Sequence, residues 1–384
     1  MTGDAAPLAG LRVVELARIL AGPWAGQILA DLGADVVKVE APEGDDTRRW
    51  GPPFLDHGGE RTAAYFHATN RGKRSVTADF RDPADRARVA ALIAGADVAI
   101  ENFKVGGLAR YGLDYASLAP ANPRLVYCSI TGFGQTGPYA HRPGYDFIIQ
   151  GMSGIMSVTG AEGGQPQKVG VAVADVTTGV YAATAILAAL VGRAVTGRGR
   201  HIDMALMDVA TAVMANQAMN CLATGVAPRM LGNAHPNLAP YAVFDCADGW
   251  VIVAVGNDAQ FQRLCAVLDR PGLAADPRFA ANEGRVTHRA ALTEAVTGAT
   301  RARTRADLLA ACERAGVPAG PINDMAEVFA DPQVVARGMR LDLDGLPGVR
   351  TPILFAGAAP APGRRAPRLG EHQAEVFGTG VAAG

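Results

Sequence analysis

The sequence predicts an α/β protein with a large domain on a mostly parallel sheet and a smaller α+β domain in the later part of the chain. Three observations carry this. Short apolar runs alternate with helical patterns through the first 130 residues, which is the signature of βαβ units. After Gly225 the pattern changes to a hairpin followed by helices. At 384 residues, with 49% hydrophobic and 19% charged side chains, the chain is long enough for about two domains and apolar enough to fold.

The elements follow in order. Residues 11–16 (Leu-Arg-Val-Val-Glu-Leu) read as a buried strand, 24–32 as a helix with Pro23 in its first turn, and 35–40 as the next strand. A second unit runs through strand 75–79, helix 83–94 and strand 97–101, and residues 125–130 add another strand. Residues 132–144 carry four glycines and two prolines, and residues 159–170 are similarly rich in turn formers. Both predict loops near the carboxyl ends of strands, where open α/β sheets bind ligands. Helical stretches follow at 146–158, 175–191 and 205–222. Residues 241–246 and 250–255 form a hairpin turning near Asp248-Gly249. Helices are expected at 258–268, 287–296 and 305–315, the last capped by Thr304. Residues 317–321 (Val-Pro-Ala-Gly-Pro) read as a rigid loop, Asp331-Pro332 opens another short helix, and 356–367 read as a surface wrap without regular structure.

Composition narrows the function. With 36 basic and 37 acidic side chains the formal charge is −1, so no bulk field would hold nucleic acid or an anionic membrane. Five widely spaced cysteines predict reduced thiols, without disulfides or zinc. Residues 1–7 lack a basic segment leading into an apolar one, which predicts a cytoplasmic location. The apolar stretch 180–191 is about a dozen residues, short of the roughly 20 that cross a bilayer, and reads as a buried helix.

Several residues carry candidate chemistry. Glu40 ends the second strand where a ribose-binding acid could sit, but the turn before the first helix offers only Gly22. A nucleotide redox cofactor is therefore not expected, and Glu40 reads as a helix-capping or surface carboxylate. Asp175 precedes a long apolar helix and has two readings. It is either an N-cap or an ionised carboxylate, with an ordinary pKa of about 3.9, displayed at the helix's positive end beside the glycine-rich loops. A carboxylate is an adequate nucleophile toward a thioester. Tyr145 and Asp146 either start a helix or stand beside Asp175 as hydroxyl donor and polar orienter. Lys73, Arg74, Arg81, Lys104 and Arg110 are either solvated charges or a phosphate-binding set. His235 lies in a loop beginning at Gly232 and Asn233 that reads as a hinge or flap. No His, Cys, Asp or Glu cluster has metal spacing, and P-loop and Gly-x-Ser-x-Gly motifs are absent, so no metal is expected.

The opening Leu-Ala-Gly-Leu-Arg-Val-Val-Glu-Leu, the Ala21-Gly22-Pro23 turn and Gly33-Ala34-Asp35-Val36-Val37-Lys38-Val39-Glu40 resemble the class III CoA-transferase family (CaiB/BaiF type). Later blocks continue the resemblance in family order: Lys73-Arg74-Ser75, Glu101-Asn102-Phe103, Gly132-Phe133-Gly134-Gln135-Thr136-Gly137-Pro138, Gly144-Tyr145-Asp146, Asp175, the loop with Gly232, Asn233 and His235, and Leu369-Gly370-Glu371-His372. Nearly the whole chain is covered.

The resemblance implies that Asp175 is the covalent nucleophile, with coenzyme A as co-substrate. It places coenzyme A contacts at Leu20, Ala21, Asn102, Phe103, Lys104, Arg110, Tyr145 and Asp146. Arg18 stands where the family has a His in its first turn, and Ala41 where formate-type members have an Arg. The related α-methylacyl-CoA racemases carry a catalytic His where this chain has Tyr145, and a phenol with pKa about 10 is a poor second base. The sequence is most similar to succinyl-CoA:dicarboxylate members. A racemase and an idle acyl-CoA binding protein are the alternatives. By resemblance, a Rossmann-like domain spans 1–200 and is completed by 331–384, a linker helix covers 201–224, a small domain covers 225–330, and two subunits interlock as rings in a homodimer. The expected partners are an acyl-CoA and a small carboxylic acid, with no nucleic acid and no membrane.

Overall fold

The first stretch of chain gives, in order, β1 (Arg12–Glu15), α1 (Ala21–Asp31), β2 (Asp35–Glu40), β3 (Phe54–His57), β4 (Glu60–Ala63), α2 (Ala64–Asn70), β5 (Arg74–Thr77), α3 (Pro83–Ala94), β6 (Val98–Glu101), α4 (Tyr115–Leu118), β7 (Val126–Thr131), α5 (Asp146–Met152), α6 (Ile155–Val158), α7 (Val173–Thr196), β8 (His201–Ala205) and α8 (Leu206–Ala212). The computed structural model describes residues 6–356 and 363–378. The chain divides into two units, one of residues 1–155, 168–214 and 332–384, the other of residues 156–167 and 215–331.

In the first unit, six strands form one parallel sheet in the order β5-β2-β1-β6-β7-β8. The chain builds outward from β1 through β2 to β5, then returns to place β6 on the other side of β1. That reversal opens a crevice beyond the carboxyl ends of β1 and β6, the place where such sheets bind ligands. Val13, Val36, Val98, Ile100 and Val126 pack under α1 and α7 on one face, through Ala25, Leu29, Ala182 and Ile186. Val14, Val37, Val76 and Ala99 pack under α3 on the other, through Val89 and Ile93. Burial on both faces explains why apolar residues run consecutively in these strands, as Val13-Val14 and Val36-Val37 do, instead of alternating.

Helix α7 is longer than the apolar stretch at 180–191 suggested. Its 24 residues are long and apolar enough to cross a bilayer by length and composition. One face is instead packed into the unit's own core through Thr178, Gly179, Ala182, Ala183, Ile186 and Ala189. Gly179 permits a close crossing, since a Cβ there would lie 2.8 Å from the carbonyl oxygen of Ala21 and 2.9 Å from the Trp24 side chain.

The expected linker helix at 201–224 is not one element. Residues 201–205 form β8, whose parallel bonding to β7 outweighs the helical reading of its apolar residues, and 206–212 form α8. Helix α9 (Ala215–Thr224) belongs to the second unit.

The second unit continues with β9 (Tyr241–Cys246), β10 (Gly249–Ala254), α10 (Asp258–Val267), α11 (Pro271–Ala275), α12 (Asn282–Thr287), α13 (Arg289–Thr300), α14 (Arg305–Ala315), β11 (Ala319–Pro321) and α15 (Met325–Ala330). The expected hairpin forms, turning at Ala247-Asp248 with Gly249 already in β10, one residue earlier than expected, and the Thr304 hydroxyl accepts the Asp307 N–H at the start of α14. Residues 319–321, expected as loop, pair antiparallel with β10 as an edge strand. A rigid, proline-bounded segment loses little by joining an edge. Phe244, Val251, Phe261, Leu264, Leu292, Val296 and Leu308 form this unit's core.

The chain then re-enters the first unit with α16 (Pro332–Ala336), β12 (Arg340–Leu343), β13 (Leu346–Val349) and α17 (Gln373–Phe377). Residues 372–373 bond to the free edge of β5: His372 N–H donates to the Ser75 carbonyl at 2.9 Å, and the Gln373 amide donates to the Thr77 carbonyl at 3.0 Å. Of the expected surface wrap at 356–367, residues 357–362 lie outside the described residues. All five cysteines are free, and Cys128, Cys246, Cys265 and Cys312 are buried.

Candidate active site

A cleft of about 710 Å³ lies beyond the carboxyl ends of the central strands of the first unit. Its walls come from the turn after β1 (Arg18 to Ala21), the loop after β6 (Asn102 to Gly107, with Arg110), and the loop after β7 (Gly132, and Ala140 to Tyr145); Asp175 also lines it. The loop after β7 is held where Gly132 and Gly144 cross. A Cβ on Gly132 would lie 2.5 Å from Gly144 Cα, so the two backbones meet only as glycines.

Asp175 is not the N-cap of α7. Ala172 holds that position and offers no side-chain cap, while Asp175 is the third helical residue. The capping work falls to Asp146, at the start of α5. Its Oδ1 accepts the N–H of Ala174 at 2.9 Å and of Asp175 at 3.3 Å, and its Oδ2 accepts the Gln150 amide at 2.7 Å. Gln150 is itself fixed, its Oε1 accepting the Val169 N–H at 2.9 Å. The Asp175 carboxylate has no hydrogen-bond donor among the described residues. Burial, and then the neighbouring Asp146 carboxylate, push its pKa up to about 7, against the pull of the helix's positive end. The expectation of an ordinary, fully ionised carboxylate is corrected on that point.

The turn from β1 into α1 is strained. Ile19 sits at φ +72°, a left-handed conformation that a β-branched residue adopts only when its surroundings impose it. Here the backbone is gripped on every side. Asn102 Oδ1 accepts the Arg18 N–H at 2.9 Å and Asn102 Nδ2 donates to the Arg18 carbonyl at 2.7 Å. The Asp45 carboxylate accepts the Ile19 N–H at 3.2 Å, and Lys38 Nζ donates to the Ala17 carbonyl at 2.8 Å. Lys38 and Asp45 are paired at 3.0 Å with both side chains wholly buried. Burial alone would lower the Lys38 pKa, but Asp45, Glu15 and Glu40 together raise it, so the ammonium stays charged. The grip delivers Leu20 and Ala21 to the cleft at the amino end of α1, where the first helical N–H groups lack intrahelical acceptors.

Of the residues singled out from sequence, Arg18, Leu20, Ala21, Asn102, Phe103, Lys104, Arg110, Tyr145 and Asp175 line this one cleft. Asp146 stands behind it, bonded to the α7 backbone. Tyr145 is 63% exposed, so its ring is free and not packed in the core. Asn102 differs from expectation in that both ends of its amide are occupied by Arg18's backbone. Arg18 pairs with Asp46 at 3.3 Å, both partly exposed.

Lys73 and Arg74 are corrections. The Lys73 ammonium is wholly buried among Glu15, Asn70 and the Pro23 carbonyl, with Nζ 2.8 Å from Glu15 Oε2, and Lys73 does not line this cleft. Arg74 opens β5 and is bound by Asp35 and Glu375. Arg81 is chelated by Asp79. Glu40 is neither a surface group nor a helix cap; it is buried and accepts from Arg48, Ser75 Oγ and the Asp45 N–H. In the glycine-rich loop after β7, the amides of Gly134 and Gln135 are occupied, donating to Thr131 Oγ1 and the Asp203 carboxylate.

Gly232, Asn233 and His235 belong to the second unit. His235 N–H donates to the Tyr241 carbonyl at 2.9 Å, and its Nδ1 accepts the Asn237 N–H at 3.0 Å. The loop before the hairpin is thus tied to the strand it enters.

Sequence reasoning missed three features. His141 and Arg142 line the cleft from a segment read only as a glycine- and proline-rich loop. Tyr65, stacked edge-on against Trp50, has its phenol pushed up to about 12 by burial and then by the Asp175 and Asp146 carboxylates, which places it in their field. Nothing local in its sequence signals this. Among the described residues no group of three or more His, Cys, Asp or Glu side chains is placed to hold a metal ion.

The profile of CoA-transferase family III matches residues 8–373. The chain belongs to CoA-transferase family III. This CoA-transferase is 58% identical over 379 residues to the succinate–glutarate CoA-transferase of Agrobacterium fabrum, covering 97% of this chain and 95% of the relative. It is 39% identical to the human succinyl-CoA:glutarate CoA-transferase, covering 97% of this chain and 85% of that one. The crystal structure of a CaiB/BaiF family protein from Brucella suis superposes with a TM-score of 0.88 at 60% identity, covering 97% of this chain and 100% of that one.

Proposed function

We propose that this CoA-transferase moves coenzyme A from succinyl-CoA or a similar acyl-CoA to a dicarboxylate acceptor, with Asp175 as the covalent nucleophile. The observation that carries the reading is the Asp175 carboxylate itself. It stands in the cleft at the first turn of α7, hydrogen-bonded by nothing among the described residues, in a chain of this family. Relatives named for glutarate support the acceptor class.

In the first step an Asp175 oxygen attacks the donor's thioester carbonyl, the C–S bond breaks, and CoA thiolate leaves a mixed anhydride. The thiolate attacks the Asp175 acyl carbon, expelling the donor acid and leaving aspartyl-CoA. The acceptor carboxylate then attacks that thioester, releasing thiolate and forming a second anhydride. Thiolate attack on the acceptor's carbonyl yields the new acyl-CoA and frees Asp175. Asp146 orients the α7 terminus and, with burial, keeps the nucleophile's basicity high. The N–H groups of Leu20 and Ala21, without an acceptor among the described residues at the amino end of α1, serve the developing oxyanions. Lys104 and Arg110 supply the charge for phosphates of coenzyme A.

The protein works as a homodimer in this reading. Val180, Tyr181, Val191 and Val195 leave an exposed apolar stripe along α7, which a second copy would cover; an interlocked ring arrangement is the form the family resemblance favours. Five free thiols suit a reducing, cytoplasmic setting.

The test is mass spectrometry of the protein quenched after incubation with succinyl-CoA and digested. A CoA-sized addition on the peptide holding Asp175 is expected. No addition, with solvent deuterium entering the α-position of a 2-methylacyl-CoA, would replace this reading with the racemase.

A further inference from the structure

A dicarboxylate that reacts through one end brings a second carboxylate into the cleft, ionised at neutral pH. Leaving it there without a counter-charge is costly, so a cation on the acyl side is required. The cleft lining contains four full cations, Arg18, Lys104, Arg110 and Arg142. Arg18 is engaged by Asp46. Lys104 and Arg110 both follow β6. Arg142 alone of the four follows β7. It lies three residues before Tyr145, on the segment that runs through the Gly132–Gly144 crossing to Asp146, which holds the Asp175 amide.

The Arg142 guanidinium is braced without being neutralised. It lies over the Tyr139 ring at 4.0 Å, and that ring packs edge-on against Phe133 at 5.6 Å. The Arg142 N–H donates to the Tyr139 carbonyl at 2.9 Å, closing the turn beneath it. The side chain is exposed and forms no ion pair among the described residues. Stacking on an aromatic face leaves the guanidinium edge free for two parallel hydrogen bonds to a carboxylate.

We propose that Arg142 is the specificity-determining residue that binds the distal carboxylate of the acyl group, so that the loop carrying Tyr145 and Asp146 also selects dicarboxylates. The inference rests on the dicarboxylate reading above. The experiment compares glutarate with valerate, which has the same chain length and a methyl group in place of the second carboxylate, as acceptors for the wild type, Arg142→Gln and Arg142→Lys. The dissociation constant of coenzyme A itself, which lacks an acyl carboxylate, is measured alongside.

The expected result is a preference for glutarate in the wild type that falls about 10- to 100-fold in Arg142→Gln, through a raised KM for glutarate. Valerate turnover and coenzyme A affinity should hold, and Arg142→Lys should retain part of the preference. A wild type that does not distinguish the two acids overturns the dicarboxylate reading and this inference with it. A wild-type preference that survives intact in Arg142→Gln overturns only the inference. Weakened coenzyme A binding with an unchanged acid preference also overturns it, assigning Arg142 to the phosphates. Should Arg142→Gln not fold, the Arg142→Lys preference decides, and an unchanged coenzyme A constant certifies that variant's cleft.

Discussion

The Asp146 carboxylate accepts the backbone N–H of Asp175 at 3.3 Å while its charge raises the pKa of the Asp175 side chain. One group thus fixes where the candidate nucleophile stands and how basic it is. Asp146→Asn separates the two effects, since an amide oxygen can still cap α7 but carries no charge. Formation of the covalent CoA adduct should then reach its plateau at a lower pH than in the wild type. Asp146→Ala also removes the cap and should cost about 1 kcal/mol of stability, read by urea denaturation.

Asp175→Asn is expected to abolish transfer and to stabilise the protein at alkaline pH. The sign follows from the raised pKa. Between about pH 4 and 7 the native carboxyl holds a proton that the unfolded chain releases, so this group's stabilising contribution fades as pH rises through 7. Removing this half-buried charge, which has no partner among the described residues, should raise stability at pH 8 by about 1–3 kcal/mol, with the gap closing toward pH 4. A variant equally stable relative to the wild type at both pH values would count against the shift.

Asn102→Ala breaks the two hydrogen bonds that tie the loop after β6 to the strained turn after β1. The expected result is a raised KM for acyl-CoA, with kcat less affected and a stability loss of about 1–3 kcal/mol. Steady-state kinetics beside a melting curve distinguish this from simple unfolding.

Lys73→Met tests the reassignment of a residue that the sequence offered as a phosphate ligand. Glu15 would keep only Lys38 as counter-charge, so a loss of about 3–5 kcal/mol is expected. Coenzyme A affinity of the protein that remains folded should not change. A selective loss of affinity at unchanged stability would return Lys73 to the binding site.

Gly144→Ala places a methyl group against Gly132, 2.5 Å from its Cα, and the loop carrying Arg142 and Tyr145 must shift. Activity should fall far more than stability, and the difference is read by comparing kcat/KM with the melting temperature.

Local patterns were readable where local physics decides. The strand at 35–40, the hairpin strand at 241–246, the helix at 83–94 and the Thr304 cap follow from β-branched runs, a turn dipeptide, a proline at the first helical turn and a hydroxyl at a helix start. Of the cleft residues, Lys104, Arg110, Tyr145 and Asp175 were legible from residue type and place in the chain, whereas Arg18, Leu20, Ala21, Asn102 and Phe103 followed only from the family resemblance. What failed depended on distant partners. Lys73 looks solvated in Gly-Lys-Arg-Ser, yet its counter-charge, Glu15, comes 58 residues earlier. Asp146 caps a helix that begins 27 residues later, so proximity to Asp175 could be guessed but the exchange of capping duty could not. The strain at Ile19 has no compositional mark, since the sequence there offers no glycine to announce a positive φ.

The return of residues 372–373 to β5 has a bearing on how the polypeptide is made. Ser75 and Thr77 acquire these partners only after nearly 300 further residues have been translated, as the 296-residue separation of Thr77 and Gln373 records. At ribosomal speeds of about 5–20 residues per second, the outer strand's hydrogen-bonding groups wait on the order of 15–60 s for their cover. During that interval the emerging chain presents a raw β edge, the kind of surface that recruits chaperones or neighbouring nascent chains.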